Sequence, residues 1–495
     1  MFLHMPIKNR SKRVRKHSKR EGESKMKEFK TRRGNFLKSK NTTTNMMYTV
    51  LIILVPFIIF STYKNGIYPV IKGYGNLYLV FKPLISVVIS SIFCLLTEYL
   101  YYQIKKDKRS IYNLFSESYA ILPGVFLSLI IPINTPIYLI IIGSIIASLS
   151  KVLMGGLGKN KLNPALVGAF LITIVFSSKV GGYLNPYEVD TISSATPLTN
   201  MTASSYLVTY DNLVKPYGSL LNFFFGNIPG AVGETSSILC IVAFIYLVWK
   251  KIIKWRIPAS YVSTVIVISL IICITKNIGL WFILFNILSG GLLFGAVFMS
   301  TDPVTTPITR KGQIISGILL GVITMVIRYL TPLPEGVLIS ILIINIITIL
   351  INKLSITLFN KQNITNIILV SLIILTTLSS FIIEKNIITK PLDDTYEILS
   401  KEKVGNKTTY EVKGRGYAGK GSIKLQIVFT DNNITNIEAL SSHETYTNMI
   451  YENNYLNKII NNQNNLDNLD TISGCTYTSK YLKEIVEKTK EDYNK

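Results

Sequence analysis

Eleven apolar stretches dominate this chain, and they fix the class of structure it can form. They run roughly over 47–63, 81–103, 115–132, 136–154, 165–178, 236–250, 257–275, 281–299, 313–330, 334–352 and 365–383. A helix needs about 20 apolar residues to cross the hydrocarbon core of a bilayer, and several of these stretches approach that length. The stretch 165–178 is short, but the placing of its neighbours requires a crossing there. With 48% hydrophobic residues and a mean hydropathy of +0.37, the chain is too apolar for an ordinary soluble protein. The pattern predicts a polytopic α-helical membrane protein, ten helices followed by an eleventh.

Charge orients that bundle. With the N-terminus inside, the inner side collects 30 Lys and Arg, of which 15 lie in residues 1–46, while the outer loops before the last domain hold 7. This is the positive-inside asymmetry. It places everything after the eleventh crossing outside. The net charge of +24 therefore reads as a cytoplasmic tail beside an anionic leaflet, and nucleic acid is not an expected partner. Residues 1–46 are expected to be a disordered basic tail. They are no signal peptide, because charges interrupt them before any apolar core forms.

The region from about 390 onward has a different texture. Alternation of period two over 408–412 and 422–429, a turn at Asp431-Asn432-Asn433, and apolar Ile434, Ile437 and Ala439 predict a strand meander. A helical stretch follows at 479–488. The expected organisation is a tail (1–46), a membrane domain (47–353), a linker with the eleventh helix (354–389) and an extracytoplasmic α+β domain (390–495). A short polar tether, about 384–395 and beginning Glu384-Lys385-Asn386, is expected to hold that domain near the mouth of the bundle.

One short motif occurs in both parts. Asp190-Thr191-Ile192-Ser193-Ser194-Ala195-Thr196 lies in a loop of the membrane domain, and Asp470-Thr471-Ile472-Ser473-Gly474-Cys475-Thr476 in the C-terminal domain. Each places a Thr six residues after an Asp, and the charge asymmetry puts both outside. A bare Thr hydroxyl among small residues has little chemistry of its own, but it accepts covalent modification well. A single copy would read as a Ser/Thr turn; two copies on one side point to one chemical event performed twice.

Other chemistries find no support. Cys94, Cys240, Cys273 and Cys475 form no CxxC pair, and His4, His17 and His443 are scattered. No metal site and no Cys-ligated cluster of this chain alone is expected. The run Gly155-Gly156-Leu157-Gly158-Lys159 lacks the Gly-Lys-Ser/Thr of a phosphate loop and reads as tight backbone at a helix end, with Asn163-Pro164 breaking the helix that follows.

Three motifs of the membrane domain resemble a known family: Gly155 through Ala165, Ser193-Ser194-Ala195-Thr196-Pro197-Leu198, and Ser300-Thr301-Asp302-Pro303-Val304-Thr305-Thr306-Pro307. They resemble RnfD of the Rnf electron-transport complex and, similarly, NqrB of the sodium-translocating NADH:quinone oxidoreductase. The eleventh helix and soluble domain resemble RnfG of the Rnf complex and NqrC of its relative, both FMN-binding. That match rests on Gly414-Arg415-Gly416-Tyr417-Ala418-Gly419, His443-Glu444-Thr445 and 470–479. The chain looks like a fusion of two components of one complex.

The resemblance implies FMN joined to Thr196 and Thr476 by phosphoester bonds, placed by a separate flavin transferase. Asp190, Ser193, Asp470, Ser473 and Gly474 would form its recognition elements. His443, Glu444 and Thr445 would line the second flavin's pocket. A further, non-covalent flavin is compatible with the family. Cys475 replaces the usual Ala, as a small residue that still fits.

The implied function is a flavin-carrying component of an Rnf-type, ferredoxin:NAD-linked translocase in a prokaryotic cell membrane. It would relay electrons between two covalent FMN groups, coupled to Na+ or H+ movement. It would act with the other subunits of the complex in the lipid bilayer rather than alone, and no catalytic residue is assigned. One alternative is the quinone-reducing relative. Another, of a different class, is a transporter or channel with an appended sensor domain. Among lesser candidates, Asp302 reads as an ion-path acid or a helix cap, Arg328 as a phosphate partner or a snorkelling side chain, and Glu98 and Glu117 as solvated.

Overall fold

The computed structural model describes residues 42–494 except 74–75, 107–109, 111, 113–117, 178, 185–194, 205, 332, 334, 358–361, 390–395, 417–418, 432, 443–446, 464, 467–468 and 473–474. A helix occupies each of the eleven apolar stretches, but their lengths differ widely. Six are long and apolar enough to cross a membrane: Thr43–Ile71, Leu77–Ile104, Arg256–Lys276, Arg310–Leu330, Val337–Ile356 and Ile367–Asn386. Ile121–Ile130, Ile137–Leu153, Pro164–Val175 and Ser237–Trp249 are shorter. At 1.5 Å per residue a ten-residue helix is about 15 Å long, half a hydrocarbon core. The eleven stretches are thus realised as six long helices, one broken span and four shorter helices. Asn163-Pro164 starts a helix instead of interrupting one. Asn163 Oδ1 accepts the N–H of Ala165 at 3.1 Å, and Pro164 takes the first helical position, where its missing donor costs nothing.

The broken span is Trp281–Leu288 with Leu292–Met299, bent by 59°. Gly290 and Gly291 make the break with φ of +62° and +63°, a conformation glycine adopts freely. Unpaired backbone at such a break is tolerated only where protein satisfies it. Arg328 does so: its Nη1 donates to the Asn286 carbonyl at 2.7 Å and its Nη2 to Ser289 at 3.0 Å. Arg328 is fully buried. It is a helix-end cap, and the snorkelling expectation fails.

Small residues set the helix packing, as in many membrane bundles. A Cβ on Gly317 would collide with Ser260 Oγ, and one on Gly321 with the Thr264 side chain. The helices Arg256–Lys276 and Arg310–Leu330 therefore approach closely along that seam. Glu98 is not solvated as the sequence suggests. It is fully buried and paired with Lys151 at 3.1 Å, and Lys151 Nζ also donates to the Ser118 carbonyl at 2.5 Å. A buried carboxylate persists only with such partners. Glu117 lies outside the described residues.

The C-terminal domain is a four-stranded antiparallel meander, β1 (Tyr396–Val404), β2 (Lys407–Gly416), β3 (Gly419–Thr430) and β4 (Asn433–Ser442), in sequence order. Alternate residues Thr408, Tyr410, Val412 and Gly414 of β2 point inward, the period of a half-buried strand. With Leu425, Ile427 and Phe429 of β3 they cover the helix Thr476–Asn494 through Leu482, Ile485 and Val486. Phe429 and Tyr493 stack with centroids 4.4 Å apart. Period-two alternation locates β2 and β3, the turn at 431–433 with the apolar residues after it locates β4, and apolar spacing locates the helix; β1 alternates only over its first residues, Tyr396 and Ile398 packing against the core, and is not among the strands expected from sequence.

Candidate functional site

Thr196 stands immediately before the helix Pro197–Ala203. Its φ and ψ of −67° and 160° are extended, and its Oγ1 accepts the Thr199 N–H at 3.1 Å. That is the geometry of an N-cap followed by a proline. The local sequence Thr-Pro-Leu-Thr thus fixes where the hydroxyl points. Thr196 is 2% exposed. Its Oγ1 lies 2.9 Å from Thr199 Oγ1, and Glu335 lines the same small cavity.

Around it lies a polar enclosure that no sequence motif announces. Thr196, Glu234, Glu335, Thr235, Gly290 and Gly291 line one small cavity. Tyr183 Oη donates to Glu335 Oε2 at 2.9 Å. Lys64, buried near the end of the first helix, donates to Thr235 Oγ1 at 2.8 Å. Burial pushes the Glu335 carboxyl up, while the hydrogen bond from Tyr183 holds it down. Burial also raises Glu234, and the neighbouring Glu335 charge adds to that. A count of charges by loop places Lys64 outside among solvated groups; its Thr235 contact shows why an inward lysine escapes such a count. These residues come from six separate stretches of the chain, so only folding brings them together.

Thr199, Tyr183 and Glu335 form the polar wall of a larger cavity of about 280 Å³, whose other lining includes Ile130, Pro132, Phe170 and Val180. A mostly apolar cavity with a few convergent polar groups is the usual form of a small-molecule site.

The second motif opens the C-terminal helix. Thr476 is the first residue of Thr476–Asn494. The preceding loop is tied down by Ser479, whose Oγ accepts the Ile472 N–H at 3.3 Å and donates to the Cys475 carbonyl at 2.8 Å. Cys475 is buried in the apolar core, so it behaves as a small packing residue. Asp470 is exposed in that loop. Asp190, Ser193, Ser473, Gly474, His443, Glu444 and Thr445 lie outside the described residues. Asp302 Oδ1 accepts the Val304 N–H at 3.2 Å, the turn-capping role, and it lines an inner cavity with Lys151, Asn160 and Asn163. No group of three or more metal-ligating side chains exists among the described residues.

Fold and sites together define a multi-pass membrane protein joined to a small sheet domain. The model of the NQR2, RnfD, RnfE family matches residues 30–361, and that of the FMN-binding domain matches 416–491. The chain belongs to the NQR2, RnfD, RnfE family and carries an FMN-binding domain after it. It is similar to the D subunit of the proton-translocating ferredoxin:NAD(+) oxidoreductase complex of Clostridium ljungdahlii, 33% identical over 318 residues, covering 63% of this chain and 90% of that protein. It is also similar to the D subunit of the Na(+)-translocating ferredoxin:NAD(+) oxidoreductase complex of Acetobacterium woodii. There the identity is 31% over 331 residues, 66% of this chain and 92% of that protein.

Proposed function

We propose that this chain is the flavin-carrying membrane component of an Rnf-type ion-translocating complex linked to ferredoxin and NAD. Thr196 and Thr476 each hold one FMN through a phosphoester made by a flavin transferase. Both face outward, with the N-terminus inside, and electrons pass between the two sites as Na+ or H+ moves. Bound flavin supplies the ability to take one or two electrons.

The protein's own residues do the rest. Thr196 offers a hydroxyl fixed by its N-cap bond. Tyr183 and Glu335 border the cavity beside it and exclude water there. Thr476 offers the corresponding position at the head of a 19-residue helix, whose N-terminus favours an anion. The chain works with other subunits of its complex. Its similarity to components of ferredoxin:NAD(+) oxidoreductase complexes favours this acceptor over a quinone.

The observation that carries the reading is the placement of Thr196: a buried, capped hydroxyl sharing a small cavity with Glu335, beside an apolar cavity. Intact mass of the chain matured with its transferase should show two FMN additions. Thr196→Val and Thr476→Val should each remove one. A mass without flavin, or both additions surviving in either variant, overturns the assignment.

A further inference from the structure

Arg415 is buried at 8% exposure near the end of β2, and its Nε and Nη2 have no hydrogen-bond partner. A buried guanidinium with two unmade bonds is costly, and native structures leave few such groups. The backbone explains how it got there. The β2–β3 register shifts between Gly414 and Gly416, so Arg415 occupies an irregularity of the kind that re-aims a side chain beside a site. Its guanidinium stacks over the ring of Tyr481, 5.7 Å from the centroid. Stacking covers a face of the group and leaves its edge donors open.

Tyr481 belongs to the helix that begins at Thr476. Tyr481 lies five positions along that helix from Thr476, a rise of about 7.5 Å. Two anion-favouring features therefore belong to one helix and its partner strand: the N-terminus of Thr476–Asn494 and, over Tyr481 of the same helix, a buried arginine with unused donors. Arginine's planar fork suits a phosphate bidentately.

We propose that Arg415 is the anchor for the phosphate of the group carried at Thr476, gripping it with Nε and Nη2. This rests on the flavin reading of Thr476 but assigns a residue which that reading does not need. The anchor fixes the phosphate end and leaves the redox ring's own contacts untouched. It also explains why an arginine tolerates burial here: its partner arrives with maturation.

The test uses the full chain in detergent, matured with its transferase. In the Thr196→Val background one phosphodiester remains, and its ³¹P resonance should shift on Arg415→Gln, with Arg415→Lys restoring part of the shift. In a Thr476→Val chain the second site takes free ligand. FMN should bind there about tenfold or more tighter than riboflavin, the scale of one charge-assisted pair, and Arg415→Gln should remove most of that preference, leaving the share of the helix N-terminus. An unchanged ³¹P resonance overturns the proposal. So does an Arg415→Gln chain that keeps its full preference for FMN, or one that weakens both ligands equally, which would put Arg415 on the ring or in the scaffold. Intact mass separates the two readings: absence of flavin from Thr476 in the parent chain defeats the modification reading, while the FMN–riboflavin comparison still decides for or against Arg415.

Discussion

Ile388 is stitched to Leu207 in a parallel bridge: the Val208 N–H donates to the Ile388 carbonyl at 2.8 Å, and the Ile388 N–H to Tyr206 at 3.0 Å. Ile388 lies just beyond the last membrane helix, and Leu207 comes shortly after the helix capped by Thr196. Asn386 Nδ2 adds a bond to the Tyr329 carbonyl at 3.1 Å. The polar composition from residue 384 suggests a free tether. Its first part is instead fixed to the segment that follows the helix capped by Thr196.

That arrangement predicts a position-dependent effect. A flexible insert after Lys390 should lower the effective concentration of one site at the other and slow electron exchange between them, with both flavins retained by mass. Ile388→Pro removes the donor to Tyr206 and should slow the exchange at unchanged length. Stopped-flow flavin absorbance measures both. Equal rates in all three chains would show that the bridge and linker do not govern the step.

The Glu98–Lys151 pair should behave as a buried ion pair. Glu98→Ala alone should destabilise the detergent-solubilised chain by about 3–5 kcal/mol, because it strands a buried lysine. Glu98→Ala with Lys151→Met should cost clearly less. Additive losses in a double-mutant cycle would rule out direct coupling.

The break at Gly290-Gly291 should be intolerant. Gly291→Ala forces a side chain into φ +63°, about 1–2 kcal/mol of strain, and drives its Cβ into the Glu234 carboxylate. Arg328→Met leaves the carbonyls of Asn286 and Ser289 bare, about 1–3 kcal/mol each. Both variants should lose flavin at Thr196, read by peptide mass, and keep it at Thr476.

Glu335 should tilt stability with pH. Burial holds its folded-state carboxyl above the ordinary range. The stability linked to it is therefore fully present below the unfolded value of about 4.3 and is lost as pH rises through the folded value. Glu335→Gln keeps a polar group without the charge and should flatten that part of the profile. Thermal midpoints from pH 4 upward check it; parallel curves for parent and variant would show that Glu335 titrates normally.

Topology has a direct measurement. Cysteine probes in intact cells should label a site at Asn453 and spare one at Ser24. The reverse pattern, or labelling of both, would put the two threonines' shared outer side in error.

The chain's own pattern shows where helices form, because apolar runs and period-two alternation are local properties. It also marks Thr196 and Thr476 as candidates, because each sits in a contiguous motif. Packing between distant segments sets which apolar stretches become long helices and which stay short, since neighbours must satisfy a helix end that stops inside the bundle. It also decided the company of Thr196. Lys64, Tyr183, Glu234 and Glu335 come from four separate segments with no shared spacing, and a buried charge is legible only once its partner is in place. The same holds for Glu98, solvated by its position near a helix end and yet buried because Lys151 meets it. It holds too for Arg415, one member of a glycine-rich motif until a shifted register turned it inward over Tyr481 with two donors unused.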